Sequence, residues 1–272
     1  MNPKVSVNIL TKNRAGLLKK ALLSVANQTY PDYEMVVVND GSTDDTESVL
    51  NEVAATIVNL RIINHASSLG ITQSRQEALL ASGGEYIAVL DDDDEWIDKD
   101  KLAKQVKFLD ENRDYVLAGG GIEQISNVEV LISKQIPNSK FQIPKDKQSS
   151  SIKNRKQKLR PESDIQIRRT MLFRNNFFTS TVMFRKEAAI KAGGFIKDTI
   201  DLAEDYDLWL RLGSFGKMYN FQEVFANYRQ PSYLPEKLRI FYSKQLKLIQ
   251  NHKNSYPFYL FAQAILKFRI LL

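Results

Sequence analysis

The chain of 272 residues carries 38 Lys and Arg against 32 Asp and Glu, and 43% of its residues are apolar. This length and composition predict one large or two small globular domains with a sizeable core. The absence of cysteine excludes disulfides and thiolate metal sites, and the two histidines leave oxygen ligands to hold any divalent cation, which suits magnesium or manganese.

The first residues, MNPKVSVNIL, lack the order of a secretion signal, and no apolar run is long enough for a membrane-spanning helix. We therefore expect a protein that is not exported. The positive and negative charges lie in different parts of the chain. Residues 139–169 hold ten Lys/Arg against three Asp/Glu, and residues 237–272 hold seven Lys/Arg and no acid, so the rest of the chain is acidic. This pattern predicts a site that uses carboxylates and surfaces that meet something anionic.

The first half alternates apolar strands with amphipathic helices, which is typical of a mostly parallel sheet with crossover helices. Predicted strands cover 5–9, 34–40, 59–65 and 85–90, and a helix is predicted after each, the last two at 71–81 and about 99–111. We expect Ser42 or Thr43 to cap the second helix. The fold class is therefore α/β, with a Rossmann-like sheet flanked by helices.

From about residue 115 the predicted strands become shorter. Residues 133–170 are polar and basic with few large apolar side chains, so we expect a mobile loop there. A helix is predicted from about 202 to 212. Two further helical stretches, about 235–251 and 256–271, form a predicted C-terminal extension.

The most acidic stretch, VLDDDDEW at 89–96, directly follows a predicted buried strand. At an effective dielectric of about 20, carboxylates about 6 Å apart repel by roughly 3 kcal/mol, so the cluster favours bulk water or a cation. Alternatively, the acids at 92–98 only lead into the next helix, whose N-terminus favours negative charge.

The segments TKNRAG, NDGSTDD and DDDDEW all follow predicted strands, at the sheet edge where open α/β sheets bind ligands. Neither GxGxxG nor GxxxxGK[ST] occurs in the chain. A nucleotide bound at this edge would therefore need a metal to neutralise its phosphates.

Four ordered pieces together resemble the inverting glycosyltransferases of family 2. They are VSVNILTKNR, VVVNDGSTDDT, GEYIAVLDDDDEW and KAGGF followed by AEDYDLWLRL, and the resemblance covers roughly residues 3–230. It implies a GT-A fold and a nucleotide-diphosphate sugar as donor. It also implies a nucleotide-sugar-binding half at 1–120 and an acceptor-binding and catalytic half at 121–232. The helical, basic extension at 233–272 follows them.

The resemblance also implies roles for individual residues. The positions that match nucleotide-binding residues are Thr11, Asn13, Arg14, Asp40, Arg75, Asp91 and Asp92. The Asp-x-Asp element places Mn²⁺ or Mg²⁺ on Asp93 with Asp91, and Asp205 matches the general base. Glu204 and Trp209 are candidates for contact with the acceptor.

Local explanations remain open for several of these residues. Asp40 fits an Asp-Gly turn, and Arg75 fits an ion pair with Glu77 or a surface acid. Glu204 and Asp205 fit favourable first-turn acids of a helix. The two tryptophans fit core packing, and His65 fits a local hydrogen bond.

The chain departs from the family where NYRQPSYLPEK lacks a histidine after Tyr-Arg, which leaves a third ligand for metal or diphosphate in doubt. It also lacks a Gln-x-x-Arg-Trp segment and membrane spans. We therefore expect addition of a single sugar from a UDP-sugar rather than processive synthesis.

The basic, acid-free 237–272 segment predicts either a helix on an anionic leaflet, where each Lys or Arg contributes about 1 kcal/mol, or a helix packed on the domain. We expect a cytoplasmic protein at the inner face of the cell membrane, with a lipid-linked glycan acceptor, as in O-antigen or capsule assembly. A metal-dependent nucleotidyltransferase acting on sugar phosphates is the alternative. The basic loop lacks interleaved aromatics, so we expect no nucleic-acid partner.

Overall fold

The computed structural model describes residues 2–125, 155–196, 203–229 and 235–271. The strands are β1 Val5–Thr11, β2 Tyr33–Asn39, β3 Leu60–Asn64, β4 Tyr86–Asp91, β5 Glu95–Trp96, β6 Tyr115–Ile125, β7 Lys156–Lys158, β8 Met183–Arg185 and β9 Lys217–Arg229. The helices are α1 Ala15–Ala26, α2 Thr46–Ala54, α3 Ile71–Ala81, α4 Lys101–Glu111, α5 Asp164–Thr170, α6 Lys186–Lys191, α7 Glu204–Leu212, α8 Pro235–Asn251 and α9 Tyr259–Leu271. A short 3-10 turn spans Thr179–Thr181.

The described strands form one mixed sheet in the order β3-β2-β1-β4-β8-β6-β9-β5, with β7 paired to β6. The first four strands by sequence are mutually parallel, as predicted, and β8 pairs antiparallel with both β4 and β6. Thr11 lies in register with Asn39, and Asp91 with Leu10, so the carboxyl ends of β1, β2 and β4 meet at one edge.

Hydrophobic clusters cover both faces of this sheet, which explains why the parallel strands are apolar in near-continuous runs. One cluster joins β1 and β4 to the inner sides of α1, α2 and α4, including the buried Leu22, Leu50 and Leu102. The other joins α3 and α7 to the C-terminal helices, including Trp209 and Leu266. The sheet is thereby held rigidly under its polar edge.

The prediction of a mobile loop at 133–170 is wrong for residues 155–170. Lys158 in β7 pairs with Ile122 in β6, and α5 buries Ile167 completely. Arg168 of α5 binds Asp164 at 2.7 Å and donates to the carbonyls of two turn glycines, 213 and 216. Part of the basic segment is therefore used inside the fold; residues 133–154 lie outside the described residues.

The two C-terminal helices pack on the domain. Leu248, Ile249 and Leu266 are almost fully buried, and the Tyr256 hydroxyl donates to the Leu210 carbonyl at 2.9 Å. No helix in the described part of the chain is both long enough and apolar enough to cross a bilayer. Of the two alternatives predicted for residues 237–272, packing on the domain is therefore observed for the inner face of these helices.

Candidate active site

The loops after β1 and β2 are joined through Asn13, which lies in the left-handed region at φ 54°. Its side-chain oxygen accepts the Thr43 N–H at 2.7 Å, and its own N–H donates to Ser42 Oγ at 2.9 Å. The capping role expected for Ser42 or Thr43 is therefore wrong. Helix α2 begins at Thr46, whose N–H donates to the Asp44 carboxylate at 3.1 Å.

Asp40, directly after β2, orders the loop at 65–70. Its carboxylate accepts hydrogen bonds from Ser68 Oγ at 2.6 Å, from the Leu69 and Gly70 N–H groups at 2.7 and 3.1 Å, and from His65. Burial alone would raise the pKa of Asp40, but these hydrogen bonds lower it well below its usual range. Its implied contact with the nucleoside stays a prediction.

His65 bridges two carboxylates. Its Nδ1 lies 2.8 Å from Asp40 and its Nε2 lies 2.7 Å from Glu77, and the ring is almost fully buried. Burial opposes the charged ring, yet hydrogen bonds to both carboxylates raise the pKa of His65. The local hydrogen-bonding role predicted for this histidine is confirmed.

Arg14 holds the middle of the acidic run. Its Nη1 donates to Asp92 Oδ1 at 2.8 Å and to Asp93 Oδ2 at 2.9 Å, close to the buried end of β1 at Thr11. Burial raises the pKa of Asp92 to about 6 and also raises the pKa of Asp93, with Arg14 opposing both shifts. This guanidinium therefore neutralises part of the charge that the sequence concentrates here.

Asp94 does more than lead into the next helix. It is 2% exposed and accepts hydrogen bonds from Ser180 Oγ at 2.5 Å and the Arg229 N–H at 2.8 Å. Burial raises the pKa of Asp94 well above its usual range. Asp94 thus joins the 3-10 turn to the end of β9, whereas Asp98 does lie at the start of α4 and binds Lys104 at 2.7 Å.

Arg75 is the cation at the centre of the site. Its Nη2 donates to Asp91 Oδ1 and its Nε to Glu204 Oε1, both at 2.9 Å. Burial alone would lower the pKa of Arg75, but the charges of Asp91, Glu204 and Asp205 raise it. The alternative pair with Glu77 is wrong, because Arg75 binds Asp91 and Glu204 while Glu77 binds His65.

Asp205 lies in the first turn of α7 and lines a cleft of about 340 Å³. Its Oδ2 accepts hydrogen bonds from Thr179 Oγ1 and, at 3.4 Å, from Asn175 Nδ2, while its Oδ1 accepts the Tyr206 N–H at 2.6 Å. Burial raises the pKa of Asp205, with Arg75 opposing the shift. Sequence reasoning missed Thr179 and Asn175, although polar residues inside the apolar stretch LFRNNFFTSTVMF were a usable signal.

The acceptor contact predicted for Trp209 is wrong. Its side chain is fully buried and packs against Phe184 with ring centroids 5.5 Å apart, so it has no surface to offer a sugar. Glu204 is 3% exposed and its carboxylate binds Arg75 instead of facing the cleft. Burial raises the pKa of Glu204, with Arg75 opposing the shift. Neither residue lines the cleft, and both contribute to the packing and charge balance around it.

The acidic run suits a hard cation without forming a complete cage for one. Among the described residues no group of three His, Asp or Glu side chains converges as a metal site. Asp91 and Asp93 offer carboxylate oxygens, and Mg²⁺ is commonly bound through one or two carboxylates plus substrate phosphates. These residues therefore fit a cation that arrives with a nucleotide, in competition with Arg14 and Arg75.

This arrangement of strand-end loops and carboxylates agrees with comparisons with known proteins. The model of the family described as "Glycosyl transferase family 2" matches residues 6–186, more than half of the chain. The chain belongs to glycosyltransferase family 2. An uncharacterized glycosyltransferase of Haemophilus influenzae is 30% identical over 233 residues, covering 84% of this chain and 65% of that relative. The chain thus spans slightly less than two thirds of that relative's length.

Another family relative is the putative glycosyltransferase EpsE of Bacillus subtilis, 28% identical over 85% of this chain and 74% of its own. Among solved structures, S. aureus TarS in complex with UDP-GlcNAc superimposes with a TM-score of 0.67 and 19% identity, covering 98% of this chain and 70% of TarS. The Pyrobaculum calidifontis mannosyltransferase PcManGT with GDP-Man and Mn²⁺ gives a TM-score of 0.68, also at 19% identity, with coverages of 98% and 70%. The fold is accordingly GT-A, with a C-terminal helical extension.

Proposed function

We propose that the chain transfers one sugar from a UDP-sugar to a lipid-linked glycan acceptor with inversion of the anomeric configuration. The observation that carries the proposal is the Asp205 carboxylate in the cleft, linked through Arg75 to Asp91 of the Asp-x-Asp element. An inverting transfer needs one carboxylate on the acceptor side and charge stabilisation on the diphosphate side. Asp205 and Asp91 are candidates for these two roles, with Arg75 between them.

In this mechanism Asp205 removes the proton of the acceptor hydroxyl as its oxygen attacks the donor sugar. Thr179 and Asn175 hold one carboxylate oxygen in a fixed orientation. Burial raises the pKa of Asp205, which brings its basicity closer to neutral pH than that of an exposed aspartate. A single displacement then needs no covalent enzyme intermediate.

On the donor side, Asp93 with Asp91 would hold Mn²⁺ or Mg²⁺, which stabilises charge on the departing diphosphate when it is bound. The nucleoside would lie at the edge formed by Thr11, Asn13, Arg14 and Asp40, with Asp92 and Arg75 below it. Arg14 contacts Asp92 and Asp93 and is 47% exposed, so it can move when a nucleotide arrives.

Similar proteins support the substrate classes. TarS structures contain UDP or UDP-GlcNAc, and the PcManGT structure contains GDP-Man with Mn²⁺. A Campylobacter jejuni relative, 37% identical over 94 residues, or 34% of this chain and 30% of its own, is named as a glucosyltransferase acting on an undecaprenol-linked glycan. A UDP-sugar donor and a lipid-linked acceptor are our proposals for this chain.

The acceptor also motivates a location at the inner face of the cell membrane. Helix α9 carries five exposed side chains, Leu260, Phe261, Ala264, Lys267 and Phe268, of which Phe261 also contacts Phe173 at a ring-centroid distance of 6.0 Å. We refer to these five residues as the α9 outer face. Apolar side chains beside cations suit the headgroup region of an anionic leaflet, where a lipid-linked substrate is also anchored.

The deciding experiment compares wild type with Asp205→Asn in assays of UDP or GDP release from UDP-Glc, UDP-GlcNAc and GDP-Man with polyprenyl-linked glycans. We expect the variant to lose transfer by at least about 10²-fold, the usual contribution of a general base, while it still binds UDP with Mn²⁺. Glu187→Gln, an exposed first-turn acid of α6, is the matched control and should retain activity. Wild-type turnover in Asp205→Asn would remove Asp205 from the mechanism, and pyrophosphate release would favour a nucleotidyltransferase.

A further inference from the structure

The cleft beside Asp205 has a basic and aromatic wall that the proposed chemistry does not use. Lys158 and Arg160 line it together with Phe177, Phe178 and Tyr228, whereas Asp205 is its one lining carboxylate among the described residues. The carboxylates of Asp91 to Asp93 do not line it. The wall of the cleft is therefore formed by residues other than the carboxylates that would hold a donor diphosphate.

Arg160 differs from the other site arginines in having no carboxylate partner among the described residues. Arg14 and Arg75 each bind two carboxylates, but Arg160 has no ion pair within the described part of the chain. Its guanidinium lies 4.5 Å from the centre of the Phe178 ring, and its Nε is buried with no hydrogen-bond partner in the described ranges. A buried donor without a partner is costly, so this position favours a ligand that accepts hydrogen bonds.

The positive charge around Arg160 also favours an anionic ligand. Burial and the neighbouring Arg174 both lower the pKa of Arg160, and Lys158 adds a further cation to the same wall. Arg160, Arg174 and Lys158 are therefore three cations that repel one another unless an anion enters. The planar fork of an arginine suits phosphate or carboxylate oxygens.

We propose that Arg160 and Lys158 form a subsite for an anionic group of the acceptor, a phosphate or a carboxylate, held beside the hydroxyl that Asp205 deprotonates. The inference rests on the proposed function, since it assigns the acceptor to this cleft. It adds that the acceptor is charged close to its reacting end. Phe178, stacked on Arg160, positions the guanidinium.

Saturation-transfer NMR on the full chain with Mn²⁺ and UDP tests this subsite, using glycerol 1-phosphate and glucuronate as probes and glycerol and glucose as uncharged counterparts. We expect wild type to bind at least one charged probe and neither counterpart. Arg160→Gln should weaken that binding about tenfold, because it removes a charge-assisted hydrogen bond to the anion. Arg160→Lys should keep part of it, and Lys156→Gln, an exposed cation of the same strand β7, should bind as wild type does.

A separate measurement of UDP affinity with Mn²⁺ shows whether Arg160 binds the acceptor anion or the donor diphosphate. If Arg160→Gln binds UDP more weakly while the charged probes are unaffected, the guanidinium serves the donor diphosphate and the inference is overturned. It is also overturned if wild type binds neither charged probe. Failure of the proposed function has a different signature, namely wild-type protein that releases no nucleotide from any sugar donor.

Discussion

The four aspartates at 91–94, at and after the end of β4, have three different sets of partners. Asp91 binds Arg75, Asp92 and Asp93 share Arg14, and Asp94 is buried on Ser180 and the Arg229 backbone. Repulsion within the run is relieved by two arginines from different elements, Arg14 at the start of α1 and Arg75 within α3. Which aspartate meets which partner depends on side-chain direction and on distant segments, so the run DDDD alone could not show that Asp94 is structural.

Among single residues, His65 should make the free energy of unfolding depend on pH. Its pKa is raised in the folded state, so its contribution is fully present below its unfolded pKa of about 6.5 and is lost as pH rises through the folded-state value. Asp40 has a lowered pKa, and its contribution is lost only as pH falls into the acid range. We expect the difference in unfolding free energy between wild type and His65→Gln to be largest below about pH 6.5 and to shrink as pH rises through the raised folded-state pKa.

Urea denaturation at several pH values measures this difference. Glu77→Gln removes one of the two carboxylates on the ring and should move the loss to lower pH. A difference between wild type and His65→Gln that stays constant over the whole range would contradict the assignment.

Among the secondary-structure elements, the segment at 155–170 forms a strand and a helix although its polar composition predicts a mobile loop. Lys156–Lys158 is polar, yet it forms β7 because the edge of β6 offers backbone partners that no local pattern reveals. Helix α5 is short, but Ile167 enters the core and Arg168 binds carbonyls of a distant turn. By contrast, the strands β1 to β4 and helix α3 were predicted well, because their apolar periodicity reflects burial on both sheet faces.

At the scale of a single helix, the α9 outer face should mediate membrane binding. Leu260 and Phe268 are 76% and 63% exposed, so serine at either position removes apolar surface without opening the core. Each substitution should weaken binding to liposomes that contain phosphatidylglycerol by about tenfold, since burying such a side chain contributes about 1.5–3 kcal/mol. Sedimentation with liposomes measures this.

Leu80→Ser is the matched control, because Leu80 is 60% exposed on α3 and lies outside the C-terminal helices. Added salt should weaken wild-type binding as the Lys and Arg charges are screened. Equal sedimentation of all these variants would exclude α9 as the membrane contact.

For the whole molecule, Arg75 joins the two predicted halves of the catalytic domain. Asp91 ends a strand of the first half, and Glu204 and Asp205 begin a helix of the second. These three carboxylates share one buried cation, so the polar edge of the sheet and the cleft are electrostatically one site.

Arg75→Met should therefore destabilise the fold by about 3–5 kcal/mol, the usual cost of leaving a buried charge without its partner. The double variant with Glu204→Gln should recover part of this loss, because it removes one of the uncompensated carboxylates. Urea unfolding of both single variants and the double variant forms the cycle. Arg61→Met, at a guanidinium that is 55% exposed, should change stability by less than about 0.5 kcal/mol. Strictly additive effects of the Arg75 and Glu204 substitutions would contradict the shared-cation interpretation.

The sequence by itself determined the family, the parallel half of the sheet and the position of the acidic run, because apolar periodicity and ordered motifs are local properties of a chain. Only the tertiary structure decided that Asp205 accepts hydrogen bonds from Thr179 and Asn175, that Glu204 forms an ion pair with Arg75, and that Trp209 is buried. It also decided that Arg160 lines the same cleft as Asp205. These outcomes depend on segments far apart in sequence that meet at one cleft, where burial and charge pairing select the partner of each side chain.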